Sequence, residues 1–493
     1  MKKNDPFPAP IYAETVLAHN FADGQKHFFA PLMQLHYAHC LMLAKRRILT
    51  REEARTILRG LDALDREKIL RAKYDGSVED LYYFIERELV GQIGEEAAGK
   101  LHIARSRNDI DVTLYRMKLR LEVLETIRHL SALRAALFRL AGAHLRTVMP
   151  AHTHTQPAQP TTLAHYLSAA LEFLSRDIAR MRAAFATINR SPLGACAITT
   201  TGFPIDRAHT AERLGFEGVV ENSYYAIGGI DYLLEAIGAL ATAMVSLGKF
   251  TQDLLLWATQ EFSYIRLGDA FVQGSSIMPQ KRNPVALEHA RILFSKSLGQ
   301  AQAVMTSVHN TPFGDINDVE DDLQPLVHST FSEASRAIRL LAGTLEAVEV
   351  DREALRRKAG GSFLTMTELA DTLVRNEGIS FKLAHRLAAR TAQRVRGIDA
   401  SHEEIASTLS EIAVELIGRP LATSRAALVD ALSPLHFVSV RRVLGGPAPE
   451  QVAAFLQRQK AAAAEDAAWL RQKTARLAAF PTRLAREAAR LQQ

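Results

Sequence analysis

Residues 114–140 read LYRMKLRLEVLETIRHLSALRAALFRL. Leu114, Met117, Leu121, Leu124, Ile127, Leu130, Leu133, Leu137 and Leu140 recur there at steps of three and four, with no Pro or Gly between them. That spacing places one apolar stripe along a helix. Such a helix would be roughly 40 Å long. Its length exceeds that of an ordinary globular helix and points to a bundle core or a subunit interface.

The same periodicity returns four times. After Pro160 it carries Leu163, Leu167, Leu171, Leu174, Ile178, Met181, Phe185 and Ile188, and it breaks at Asn189–Gly194. Further helices are expected over Tyr232–Trp257, Val285–Val308 and Leu326–Val350. The fold class is therefore all-α, with a central five-helix bundle. Ahead of about Ile103 the patterns are shorter and include Arg51–Leu64 behind a cap at Thr50. Gly360-Gly361 closes the central region, and short helices are expected beyond it, interrupted by Gly445-Gly446-Pro447. The Ala-rich tail after Lys460 reads as helix. Three units follow: 1–105, 106–360 and 361–493. Alternating patterns are scarce, so no sizeable sheet is expected.

Composition narrows the class. Of 493 residues, 47% are hydrophobic and 23% charged, and the net charge is only +6. This is globular composition with mild attraction for small anions, and no dense Lys/Arg run marks a nucleic-acid surface. Pro6, Pro8 and Pro10 stand where a secretory leader needs an apolar run. The uncharged apolar stretch Ala236–Gly248 falls short of the roughly 18 residues a membrane span needs, so none is expected. Cys40 and Cys196 are the only cysteines, which fits a reducing cytoplasm and gives neither a disulfide framework nor a metal cluster.

Four segments are loaded with chemistry. Gly274-Ser275-Ser276-Ile277-Met278-Pro279-Gln280-Lys281-Arg282-Asn283-Pro284 joins two helical stretches. A polar connector would serve that purpose alone, but this one concentrates two hydroxyls, a Lys and an Asn between prolines that fix its ends. His152-Thr153-His154-Thr155-Gln156 offers His154 as an acid or base near neutral pH. The His-x-His spacing also suits a metal, but no Cys or carboxylate lies beside it, and no metal is expected. Arg105-Ser106-Arg107-Asn108-Asp109 reads both as a helix N-terminus and as a carboxylate cradle. Glu288 is an ordinary helix charge unless it meets His154.

Together these segments resemble the aspartase/fumarase superfamily, and most closely the argininosuccinate lyase family. Lys100–Asp109, Met149–Pro160 and Gly274–Pro284 look like its three signature regions. Ser191-Pro192-Leu193-Gly194-Ala195, Phe203–Arg207, Asn222-Ser223, Thr367–Asp371 and Gly445–Glu450 extend the likeness over nearly the whole chain. The resemblance implies a cofactor-free lyase that eliminates an amine from an N-substituted aspartate and releases fumarate, as in arginine biosynthesis. It implies a homotetramer whose active sites are each shared by three subunits. Ser275 corresponds to the catalytic base, Lys281 and Asn283 to carboxylate-binding groups, and His154 with Glu288 to a His–Glu pair. Ser106, Arg107, Asn108, Thr153, Gln156 and Ser276 fall at substrate-binding positions. The donor of the proton to the leaving amine stays open. A catalytically silent homologue and a cycloisomerase of the same superfamily are the competing readings, and the intact residue set argues against both.

Two segments depart from the family: Gly228-Gly229-Ile230-Asp231 stands where the family has Ser-Asp-Arg-Asp after Asn-Ser, and a second stretch differs more. Anchored on Pro325-Leu326, the stretch that binds the arginine half of the substrate reads Asp315-Ile316-Asn317-Asp318-Val319-Glu320-Asp321-Asp322-Leu323-Gln324. Asp315 and Glu320 replace a Tyr and a Gln, and Asn317 and Leu323 replace two lysines. These changes favour a cationic amine over an α-carboxylate. Asp315 and Glu320 are therefore candidates for an amine pocket, and an N-succinyl-diamine of the ethylenediamine-disuccinate type competes with argininosuccinate.

Overall fold

The computed structural model describes residues 7–361, 363–396 and 400–493. Five long helices dominate it: Arg107–Ala143, Leu163–Ile188, Asp231–Trp257, Val285–Val308 and Gln324–Glu346. The first packs on the second and fifth, the third on the second and fourth, and the fourth on the fifth. Their inward faces form one continuous core, with Ile127, Leu130, Leu171, Leu174, Ile237, Leu240, Ile338 and Leu341 fully buried. Each such side chain contributes about 1.5–3 kcal/mol relative to exposure. The third helix is long and apolar enough to cross a membrane by length and composition. Here it is a core helix, burying Leu233, Met244 and Leu247 in the bundle.

Chain direction alternates along the bundle. One end gathers the start of the first helix, the 189–230 connection and the 309–323 loop. The other gathers the 144–162 and 258–284 connections and the end of the fifth helix. The first helix has 37 residues, so the two ends lie about 50 Å apart.

Two helices start or stop away from their expected limits, for one reason. Val148–Thr153 pairs antiparallel with Gln156–Thr162, so the second helix begins at Leu163 rather than after Pro160. Thr162 caps it, accepting the His165 amide at 3.1 Å. The fifth helix stops at Glu346 because Glu349–Val350 pairs with Ile265–Arg266. The hairpin is the one extended element of any length among the described residues.

The N-terminal helices form a second core around Phe21, Leu35, Ile57, Leu58 and Ile85. The Arg51–Ala63 helix starts at the expected cap: Thr50 and Glu53 exchange backbone and side-chain bonds at 3.2 and 2.7 Å. Helices between Met366 and Ala431 bury a third core that includes Leu373, Leu387 and Leu409.

The tail after Lys460 is helical as expected, but its helix starts earlier and is longer than the short helices expected beyond Gly361. Pro449–Gln492 is a single helix of 44 residues that runs back along the first and second bundle helices. Buried Arg134 donates to Asp466 at 2.7 Å and Arg182 to the other oxygen at 2.6 Å. Farther along, Phe480, Leu484 and Ala488 enter the N-terminal core.

Candidate active site

Ser106 caps the first bundle helix in extended conformation, and its backbone N–H donates to Asp109 at 2.9 Å. Its hydroxyl donates to Asn108 Oδ1 at 2.7 Å, so two of the expected binding residues are already oriented together. Arg105 is buried against His36, 2.9 Å from its Nδ1. The Arg107 guanidinium is held by Asp80 and, at 2.7 Å, by Asp111 one turn along the helix. Those two carboxylates take one N–H from each terminal nitrogen of the guanidinium.

The 309–323 loop lies beside the same helix turn. Tyr115 donates to Asp321 at 2.8 Å. Burial and a hydrogen bond with Asp315 push the Glu320 carboxyl up to about 9. Burial also raises Asp321 and, more strongly, Asp111. Arg107 faces Asp80, Asp111 and Asp321, with Asp315 and Glu320 close by, so five carboxyl groups crowd one guanidinium. Sequence reading missed Tyr115, Asp111 and Asp321. The i,i+4 spacing of Arg107 and Asp111 was the available clue.

Thr153, His154, Thr155 and Gln156 form the exposed tip of the hairpin at the far end of the bundle. His154 and Thr155 both have positive φ, 51° and 62°, the geometry of a tight two-residue turn that β-carbons disfavour. The strain presents the imidazole outward. His152 instead packs its ring near Phe262 and Tyr264, and burial lowers its pKa.

The Gly274–Pro284 loop sits at this same end, pinched by Gln273–Gly274 pairing with Arg282–Asn283. Arg282 anchors it, donating to Asp269 at 2.5 Å and to the Leu267 carbonyl at 2.9 Å. Ser275 Oγ accepts the amides of Ile277 and Met278 at 3.3 and 3.1 Å. The side chains of Ser276 and Lys281 are exposed and make no hydrogen bond or ion pair to other described residues. Glu288 is exposed in the first turn of the following helix. No ion pair joins it to His154 within the described residues of one chain.

The expected residues therefore fall into two groups. Ser106, Arg107, Asn108, Asp315 and Glu320 share one end of the bundle. Thr153, His154, Gln156, Ser275, Ser276, Lys281, Asn283 and Glu288 share the other. A cavity of about 850 Å³ beneath the hairpin reaches Thr155 and Gln159 but no residue of the Arg105–Asp109 or Gly274–Pro284 segments.

Comparison with known proteins places this arrangement. The family described as Lyase matches residues 29–299. Argininosuccinate lyase 2 of Agrobacterium fabrum is 42% identical over 447 residues, covering 90% of this chain and 88% of the relative. Argininosuccinate lyase of Methanoculleus marisnigri is 38% identical over 454 residues, covering 92% and 91%. The crystal structure of EDDS lyase in complex with formate superposes with a TM-score of 0.87 at 33% identity, covering 98% of this chain and 96% of that one. A fumarate lyase from Mesorhizobium sp. BNC1 shares the fold, with a TM-score of 0.72 at 17% identity over 87% and 94% of the chains. Fold and residue set define a carbon–nitrogen lyase of the all-helical fumarate lyase class. Within that class, the chain belongs to the argininosuccinate lyase family.

Proposed function

We propose that the protein cleaves argininosuccinate to arginine and fumarate by β-elimination, with Ser275 as the base. The observation that carries this reading is the Gly274–Pro284 loop. The proton to be removed lies α to a carboxylate, and its loss builds a doubly charged aci-carboxylate. Lys281 and Asn283 supply the cation and the hydrogen-bond donor for that charge. A serine hydroxyl is a poor base in water. Ser275 Oγ, however, already receives two backbone amides, which would stabilise its alkoxide once the loop closes and excludes water. The leaving amine needs a proton on the opposite face, and His154 backed by Glu288 is our candidate donor. Nothing in this chemistry requires a metal or an organic cofactor.

The two ends of the bundle stand about 50 Å apart, so one chain cannot assemble its own site. We infer a homotetramer in which the Ser106, His154 and Ser275 segments of a site come from three subunits. The exposure of the hairpin tip and the signature loop supports this assembly. Cys40 and Cys196 are unpaired, in keeping with a cytoplasmic enzyme.

The acidic surroundings of Asp315 and Glu320 favour a second reading, in which the succinyl half is kept and the amine half is an N-linked diamine. Fumarate release, followed by ultraviolet absorbance, from argininosuccinate in parallel with N-succinyl-diamines separates the two. Rapid turnover of argininosuccinate supports the first. Silence on it, with fumarate from a diamine adduct, replaces the first with the second.

A further inference from the structure

Asp109 has no exposed surface, yet it makes no ion pair among the described residues. Its two oxygens instead take three backbone hydrogens. Oδ1 accepts from Ser106 N at 2.9 Å, and Oδ2 accepts from Gly194 N at 2.7 Å and Cys196 N at 3.0 Å. The two segments it joins are 85 residues apart in sequence and both are strained. Ala104 and Cys196 have positive φ of 60° and 54°, and Gly194 has 88°. A β-carbon at Gly194 would lie 2.7 Å from Arg207 Cγ. Cys196 Sγ closes the junction, 3.2 Å from the Ala104 carbonyl. Left-handed residues without glycine's freedom persist only where their surroundings over-determine them.

We propose that Asp109 is a positioning residue: it fixes the Ser191–Cys196 loop against the helix N-terminus and thereby sets Ser106 and Asn108 for the substrate. The inference rests on the fumarate-releasing reading of the site, because it is that substrate which Ser106 and Asn108 would hold. Burial pushes the carboxyl up to about 6, while its three amide bonds pull the other way. An amide in place of the carboxylate keeps one acceptor and turns two N–H donors toward an N–H partner, so either the Ser106 bond or the Gly194 and Cys196 bonds are lost.

The test is Asp109→Asn in the full chain, alone and added to Ser106→Ala/Asn108→Ala, with KM and kcat measured for fumarate release. Displacement of the binding segment by even an ångström should raise KM by about 10- to 100-fold, with a smaller change in kcat and a melt that stays cooperative. Added to the Ser106→Ala/Asn108→Ala variant, Asp109→Asn should change KM little further, since the contacts it positions are already gone. A wild-type KM, or two effects that simply multiply, would overturn the proposal. If Asp109→Asn does not fold, hydrogen exchange of the wild-type peptides 103–110 and 190–197 decides. The proposal expects fumarate to slow both together, and protection of the first alone refutes it. A wild-type enzyme silent on every N-substituted aspartate would sink the chemical reading instead. The two peptides opening at one rate without ligand would still support the junction, and different rates would refute it.

Discussion

Tyr115 donates its hydroxyl hydrogen to Asp321 at 2.8 Å, and through that bond the acidic 309–323 loop is fastened to the first bundle helix. Tyr115→Phe keeps the ring and removes the donor, leaving a partly buried carboxyl short of one partner. The expected cost is about 1–3 kcal/mol of stability. A raised KM should accompany it, because the loop carries Asp315 and Glu320. Thermal melts and steady-state kinetics on the same preparation check both halves. An unchanged KM would remove this loop from the substrate site.

Ser275→Ala should separate chemistry from folding. Among the described residues its hydroxyl hydrogen-bonds two amides of its own loop and nothing else. Stability should stay within about 0.5 kcal/mol of wild type. Turnover should fall at least about 100-fold if the hydroxyl is the base. Retained activity would eliminate Ser275 from that role.

Because Ser106 and Ser275 lie at opposite ends of one chain, two inactive variants should repair each other. Ser106→Ala and Ser275→Ala, refolded together, would form some sites that draw both intact residues from different chains. Random mixing gives about a quarter of sites fully wild type at these positions. Activity that never rises above that of either variant would argue for a site within one chain.

The Glu320 carboxyl binds a proton in the folded protein up to about pH 9, well above its ordinary value. Between roughly pH 4.5 and 9 the folded state therefore holds more protons here than the unfolded state, and stability falls as pH rises through that window. Denaturant melts at pH 6 and 9 should show this slope, and Glu320→Gln should flatten it. The same logic makes binding of a cationic amine release a proton. Isothermal titration in two buffers of different ionisation enthalpy would detect it, and equal heats would count against the pairing of Asp315 with Glu320.

The bundle was legible because long apolar stripes at helical spacing leave few alternatives, and all five helices occur close to where Leu, Ile and Met recur. The hairpin was hidden by its own sequence. Pro150, Pro157 and Pro160 argue against a strand, and a two-residue turn normally announces itself with Gly or Asn rather than His154-Thr155. The candidate residues were legible by type but not by place. The partner Asp80 of Arg107 comes from a segment remote in sequence and could not be read locally, whereas Asp111, one turn along the same helix, could. The final helix was legible after Lys460 from its Ala-rich sequence, but not its start at Pro449 or its unbroken course through Pro481.

That final helix also bears on how the protein is made. The N-terminal core draws most of its residues from positions up to Met117, yet it is closed by Phe480, Leu484 and Ala488. At ordinary translation speeds, on the order of tens of seconds separate the synthesis of these two parts. Through that interval the first-made core waits with an open flank on the ribosome, so the birth of this enzyme depends on its last few turns arriving intact.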